Sequence, residues 1–307
     1  MQTELRSIDW DRALPGLEVH VAEPSRGPIE IARAGNGRAV LLIHGTPGSW
    51  RQAIGLADDI CDEFTVLLPS RPGYGATPLS TGLTAEEQAD VYAETLDELG
   101  INDVAIVGIS GGAPSAAEFA VRHRDRTWAL VLACPVAKHL MPLRRSWIVQ
   151  LAIPGLAETA FYLGRLRAKR KIGDPTAVED EARKSFTPDE FERFSSDEEV
   201  RFEYLRFLRS HLDAPVGLDG MRNDILQTRR SSLAADLADV ACPVLVLHGE
   251  SDSTVGLDQA QFYADAMRAA VLETYEEAGH LFLITRRESG PRIRSFLQAA
   301  IAAGRKT

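Results

Sequence analysis

A serine stands at position 110 in the run Val104-Ala105-Ile106-Val107-Gly108-Ile109-Ser110-Gly111-Gly112-Ala113, where an apolar strand pattern breaks on glycines and resumes as a small-residue helix. Gly-x-Ser-x-Gly in that setting reads as a nucleophile elbow. Gly108 and Gly112 carry no Cβ, so the chain can turn sharply and hold Ser110 in a strained conformation with its Oγ exposed. A glycine-rich turn with an incidental serine would contain the same five residues, so the rest of the chain has to decide. A hydroxyl is a weak nucleophile at neutral pH. It needs a base within hydrogen-bond reach and a third group that fixes the tautomer of that base.

Seven histidines compete for the base. His20 precedes the core strands, and His139 and His211 fall in an inserted region. His123 ends the helix that Ser110 starts, about 20 Å from the serine at the helical rise. His44 and His248 end apolar strands inside His-Gly turns. His280 remains, in the loop Glu276-Glu277-Ala278-Gly279-His280-Leu281 that follows the strand pattern Val271–Tyr275. Its place after the last strand makes it the expected general base.

The acid is expected in the loop Gly249-Glu250-Ser251-Asp252-Ser253-Thr254-Val255, which follows the buried-strand pattern Pro243–His248. Asp252 is the candidate, with Glu250 and Asp258 as close rivals. An alternative position after the preceding core strand is vacant, because Cys134 to Ala157 contains no Asp or Glu. The fourth element is the strand Val40–Ile43 running into His44-Gly45-Thr46-Pro47-Gly48-Ser49. Acyl transfer builds negative charge on the former carbonyl oxygen, and preorganised N–H donors lower that barrier. The amide of Gly111, next to the nucleophile, is one expected donor. Pro47 has no N–H, so Thr46 is expected to supply the other, beside a Ser49 helix cap.

These residues require a scaffold that brings them together. Leu17–Ala22 and Pro28–Ala34 alternate like an antiparallel edge hairpin. Short apolar strands follow near 39–43, 64–68, 103–108, 128–133, 243–248 and 271–275, with helices near 50–62, 84–99, 111–123, 257–269 and 290–303. Continuous apolar strands alternating with helices imply a mostly parallel sheet covered on both faces. In such sheets the functional loops gather at the carboxyl ends of the strands, where His44, Ser110 and Asp252 all lie. Small residues from Gly111 to Ala117 let the following helix approach the sheet, and Pro114 is tolerated in its first turn.

Between Pro135 and about Leu233 this rhythm stops. Residues 1–135 and 234–307 therefore read as one core domain and 136–233 as an inserted helical lid. Its apolar opening, Leu140 to Leu163, would face substrate or the lid's own packing. Tyr204, Phe207 and Leu208 are expected in its core first and in a pocket second. The cluster Arg165, Arg167, Lys169, Arg170 and Lys171 reads as a solvated helix end. Arg71-Pro72-Gly73-Tyr74-Gly75 reads as a tight structural loop, and Asn223 and Asp224 as helix or interface hydrogen-bonding groups.

With 307 residues, 45% of them hydrophobic, the chain can bury a sizeable core. Its net charge of −10 gives little electrostatic support for a nucleic-acid or anionic-membrane partner; an uncharged or cationic ligand fits better. Cys61, Cys134 and Cys242 are widely spaced and lack metal-ligand spacing, and they read as reduced, buried residues of a cytoplasmic protein. Acids near Met1–Trp10 argue against a cleaved signal, and no uncharged apolar run is long enough to span a membrane. No nucleotide fingerprint, cofactor or metal site is expected. The expected partner is a small-molecule substrate, and a homodimer is left open.

The turn His44–Gly48, the loop Arg71–Gly75, Gly108–Gly112, Asp252 and His280 together resemble the lid-bearing α/β-hydrolase fold superfamily, in the family's own order and over about residues 28 to 303. The resemblance implies a Ser110–Asp252–His280 triad. Ser110 stands where the aspartate-nucleophile branch has a carboxylate, which argues against dehalogenase or epoxide hydrolase chemistry. Thr46 and Ser70-Arg71-Pro72-Gly73 depart from the pattern of relatives that cleave N-terminal proline. The expected activity is hydrolysis of a carboxylic ester, lactone or amide of a small, largely apolar molecule through an acyl-serine. Acyl transfer, carbon–carbon hydrolysis with the same triad, and a non-catalytic ligand receptor are the alternatives.

Overall fold

The computed structural model describes residues 8–137, 156–215, 217–230 and 236–304. Residues 1–7, His139 and the apolar run from Leu140 to Ile153 lie outside them, as do the side chains of residues 156–162 and 228–230. Eight strands form one sheet in the order β1-β2-β4-β3-β5-β6-β7-β8. They are β1 (Glu18–Ala22), β2 (Ile29–Ala34), β3 (Arg38–Ile43), β4 (Phe64–Pro69), β5 (Val104–Ile109), β6 (Thr127–Ala133), β7 (Val244–Gly249) and β8 (Ala270–Tyr275). The hairpin β1–β2 is antiparallel, and β2 runs antiparallel to β4. From β4 to β8 every pairing is parallel.

The central strands are apolar on both sides because both sides are covered. Leu41 and Ile43 of β3 pack into one core, with α2 (Ala85–Glu98), α3 (Ala113–Arg122) and α9 (Leu257–Ala266). Val40 and Leu42 pack into the other, with α1 (Ile54–Ile60), α10 (Phe282–Thr285) and α11 (Ser289–Gly304). Local signals set the ends of α2: Thr84 and Glu87 form a reciprocal capping box at its start, and Gly100 at φ 69 closes it with a bond from the Ile101 N–H to the Leu96 carbonyl. The segment expected as one helix near 50–62 is a 3-10 turn, Trp50–Ala53, followed by α1. Likewise the helix expected from residue 111 begins with a 3-10 turn at Ser110–Gly112, which the reversal at the end of β5 imposes.

Between β6 and β7 the described residues include α4 (Leu156–Lys171), α5 (Pro175–Ser185), α6 (Pro188–Ser196), α7 (Glu198–Asp213) and α8 (Leu218–Arg230). The insertion has a core of its own, with Phe186, Phe194 and Tyr204 in mutual ring contact. Tyr204 is buried there, and Phe207 and Leu208 pack against it. One expectation needs correction. Arg165 is not a solvated helix end: its guanidinium donates to the carbonyls of Leu212 and Ala214, satisfying groups that the end of α7 leaves without intrahelical donors. Arg167, Lys169, Arg170 and Lys171 are exposed as expected.

The elbow is tightly packed against the helix behind it. A Cβ on Gly108 would lie 2.6 Å from the Ala116 Cβ and 2.9 Å from the Ala113 Cα, atoms of the helix that backs the strand. Gly108→Ala should therefore force α3 away from β5, at about 1–3 kcal/mol for overpacking. The expected result is a thermal unfolding midpoint several degrees lower, measured by circular dichroism.

Candidate active site

Ser110 follows the last residue of β5 at φ 49, in the left-handed region that L-residues avoid. A Cβ on Gly112 would lie 2.6 Å from the Ile43 carbonyl oxygen and 2.7 Å from that of His44. The glycine thus lets the start of α3 press against the end of β3 while the serine side chain turns toward the loops beyond the sheet.

Asp252 follows β7. Its Oδ1 accepts the N–H groups of Thr254 at 2.8 Å and Val255 at 2.9 Å, and its Oδ2 lies 2.6 Å from Nδ1 of His280. Burial alone would raise the carboxyl pKa, but the hydrogen bond and charge of His280 and the two backbone donors outweigh it and hold the group below its ordinary value. Asp252 is therefore ionised at neutral pH and can only accept. That puts a proton on Nδ1 of His280 and turns the Nε2 lone pair outward, where it lies 3.0 Å from the Ser110 Oγ.

The rivals lie elsewhere. Glu250 accepts from the Thr274 hydroxyl at 2.7 Å, in exposed surroundings, and Asp258 sits in the first turn of α9. His44 and His248 are fully buried and serve the scaffold. His44 donates to the Gly45 carbonyl and accepts from the Arg71 N–H, and burial, then Arg71, holds its pKa well below the ordinary value. His248 bonds the Val255 carbonyl at 3.0 Å.

The loop that carries His280 is gripped by the insertion. Thr187 Oγ1 donates to the carbonyl of Glu277, itself at φ 55. Glu190, fully buried, accepts from Thr285 Oγ1 at 2.8 Å with one oxygen and from the Thr187 N–H at 3.0 Å with the other. That second oxygen would also stand 3.0 Å from a Cβ on Gly279. The pair Thr187 and Glu190 is readable in sequence as a capping box, but its second use against the histidine loop is not.

Thr46 and Gly111 meet directly: a Cβ on Gly111 would overlap the Thr46 Oγ1. The Thr46 N–H has no hydrogen-bond partner among the described residues. Gly111 is in the first turn after the elbow, where N–H groups have no intrahelical acceptor. Over both residues sits a network of Arg71 and Tyr74, which in the sequence alone read as a structural loop, with Asp224, which reads there as an interface hydrogen-bonding group. Asp224 of α8 takes Arg71 with both oxygens, at 2.7 and 3.0 Å, accepts from Tyr74 Oη at 2.7 Å, and also accepts from the Thr46 hydroxyl. Arg71 in turn donates to that hydroxyl at 3.2 Å. Burial opposes the Arg71 charge, but Asp224 and Tyr74 overcome it and raise its pKa; burial, then Asp224, raises that of Tyr74 well above its ordinary value. Next to Asp224, Asn223 donates to the Leu83 carbonyl at 2.8 Å. Arg71 and Asp224 are 153 residues apart, so only a charge in an otherwise apolar post-strand loop hinted at a distant partner.

A cavity of about 180 Å³ opens beside Ser110 and His280. Pro47, Leu56, Ile109, Leu281 and Ile284 form apolar walls, and Phe207 and His211 of α7 reach in from the insertion. Cys134 also lines it; Cys61, Cys134 and Cys242 are all buried free thiols. Among the described residues no cluster of His, Cys, Asp or Glu is arranged to hold a metal ion, and no helix is long and apolar enough to cross a membrane.

The sequence profile of the alpha/beta hydrolase family matches residues 40–289. The uncharacterized hydrolase YcgS of Bacillus subtilis is 27% identical over 276 residues, 89% of this chain and 96% of that protein. Haloalkane dehalogenase 2 of Mycobacterium tuberculosis is 33% identical over 180 residues, 50% of this chain and 61% of the other. Among solved structures, an alpha/beta hydrolase fold protein from Nakamurella multipartita superposes with a TM-score of 0.77 at 26% identity, covering 92% of this chain and 98% of its own.

The Arg71 and Asp224 side chains are only 3% and 11% exposed. Removing one charge strands the other away from water, which costs about 3–5 kcal/mol where a buried pair is broken. Asp224→Asn should accordingly lower the unfolding midpoint markedly, and Arg71→Met combined with Asp224→Leu should recover only part of the loss in the same thermal melt, because the hydroxyls of Tyr74 and Thr46 then lose their acceptor.

Proposed function

The chain belongs to the alpha/beta hydrolase family, and from that premise we propose that it is a serine hydrolase that cleaves a carboxylic ester through an acyl-serine at Ser110. The observation that carries this reading is the hydrogen-bonded series Asp252–His280–Ser110 on the wall of a partly apolar cavity. Ser110 Oγ attacks the acyl carbon while its proton passes to Nε2 of His280, and the ionised Asp252 stabilises the imidazolium so formed. The carbonyl electron pair moves onto oxygen, where the N–H groups of Gly111 and Thr46 receive it, each donor being worth about 3–4 kcal/mol in such sites. Collapse of the intermediate breaks the ester bond, and the alcohol leaves with the proton from His280. Water, deprotonated by the same imidazole, then releases the acid. The helical insertion, as a lid, excludes bulk water from this exchange.

Serine also discriminates between this chemistry and the alkyl substrates that the name of the dehalogenase relative implies. Attack on a saturated carbon would leave Ser110 as an alkyl ether, which offers water no carbonyl and ends the cycle. A carboxylate nucleophile would leave a cleavable ester instead. A hydroxyl in the elbow therefore favours acyl over alkyl substrates.

Hydrolysis of 4-nitrophenyl esters of graded chain length, followed by absorbance, tests the reading. Ser110→Ala should abolish turnover, and Asp252→Asn, which removes the charge that fixes the Nδ1–H tautomer, should lower kcat about 10⁴-fold while leaving the fold intact. Full turnover by Ser110→Ala would rule out the acyl-serine.

A further inference from the structure

The cavity beside Ser110 has a charged side. Three guanidinium groups line it, from Arg51, Arg206 and Arg287, against one carboxylate, Glu203. Two of the three are already neutralised: Arg206 pairs with Glu203 at 2.7 Å and Asp58 at 3.5 Å, and Arg287 with Glu199 at 2.6 Å and Asp59 at 3.5 Å. Among the described residues no carboxylate lies within ion-pair distance of Arg51. Its Nε and Nη1 are buried with no hydrogen-bond partner.

What holds Arg51 in place is its faces. Its Cζ stands 4.3 Å from the centre of the Trp50 ring and 5.9 Å from that of Trp10. A cation–π contact occupies the face of a guanidinium and leaves the N–H donors, which lie in its plane, without acceptors. Burial pulls the Arg51 pKa down, and Glu30, Asp213 and Asp11 offset this only from a distance. The backbone around it is fixed relative to the reacting atoms: the Ser49 Oγ accepts the Arg51 N–H, and the neighbouring Gln52 side chain accepts from the Gly45 N–H at 2.7 Å and donates to the Pro47 carbonyl at 2.8 Å. Arg51 therefore belongs to the same rigid turn as Thr46.

Resting on the serine-hydrolase reading, we propose that Arg51 binds a carboxylate carried by the substrate, so that the preferred substrate is an anionic ester such as the half-ester of a dicarboxylic acid. A guanidinium N–H binds a carboxylate through a charge-assisted hydrogen bond. The apolar walls take the chain between the carboxylate and the scissile bond. The net charge of −10 does not oppose this, because charges farther than a Debye length of about 8 Å are screened at physiological ionic strength, whereas Arg51 itself lines the cavity. Hydrolysis then releases an alcohol and a diacid.

The test sets the 4-nitrophenyl half-esters of succinate, glutarate and adipate against butyrate, pentanoate and hexanoate esters of equal length, with spontaneous hydrolysis subtracted. Each pair differs only in a terminal carboxylate against a methyl group. At the length that fits, wild-type kcat/KM should favour the carboxylate by about tenfold or more, as a charge-assisted bond predicts, and salt at about 0.5 M should shrink that advantage. Arg51→Gln should bring the ratio of the two kcat/KM values down to about one or below, and Arg51→Lys should keep part of the preference. Wild-type protein that prefers the neutral ester at every length, or Arg51→Gln that lowers both esters equally, would overturn the proposal and leave the esterase reading standing. Hydrolysis of neither ester would contradict the esterase reading instead. Calorimetry on Ser110→Ala protein, which needs no turnover, still decides for Arg51: tighter binding of a dicarboxylate than of the matching fatty acid supports it, and equal binding does not.

Discussion

One imidazole, held between a buried carboxylate and a strained serine, is the constraint around which this structure is arranged. Asp252 is fully occupied, with two backbone donors on one oxygen and His280 on the other. A buried carboxylate so satisfied stays ionised and leaves His280 one orientation, with Nε2 toward Ser110. The parallel sheet makes this meeting feasible. Neighbouring parallel strands end at the same edge, so the loops after β5, β7 and β8 converge although Ser110 and His280 are 170 residues apart in sequence.

The helical insertion is part of that arrangement as well as a cover over it. Through Asp224 it fixes Arg71, Tyr74 and the hydroxyl of Thr46, and through Thr187 and Glu190 it fixes the loop that carries His280. Both anchors are charged or strongly polar and buried, so they contribute only when every member is paired. Seating the insertion thus couples two loops that meet at Ser110. The remaining contacts of α7, through Phe207 and His211, shape the cavity between them.

Much of this was legible in the sequence because it follows from local rules. Continuous apolar runs declared β3 to β7, small residues declared the close approach of α3, and chain order singled out His280 once the other histidines had scaffold positions. The vacancy after β6 pointed to the segment after β7 but left Glu250 and Asp258 as rivals there; the hydrogen bonds of Asp252 to Thr254, Val255 and His280 distinguish it physically. What the sequence could not convey lies in long-range pairings. Nothing near Arg71 names Asp224 as its partner, and nothing near Arg165 says that it serves the carbonyls of Leu212 and Ala214. That Arg51 has no carboxylate partner among the described residues is harder still to read, since it is a property of everything that surrounds the side chain in space.

The most direct measurement is the site and rate of covalent modification by a fluorophosphonate, located by peptide mass spectrometry in the wild type and in His280→Ala. A single adduct on Ser110 is expected, formed about a thousandfold or more slowly once the imidazole is gone. An adduct on another residue, or a rate indifferent to the loss of His280, would contradict the triad.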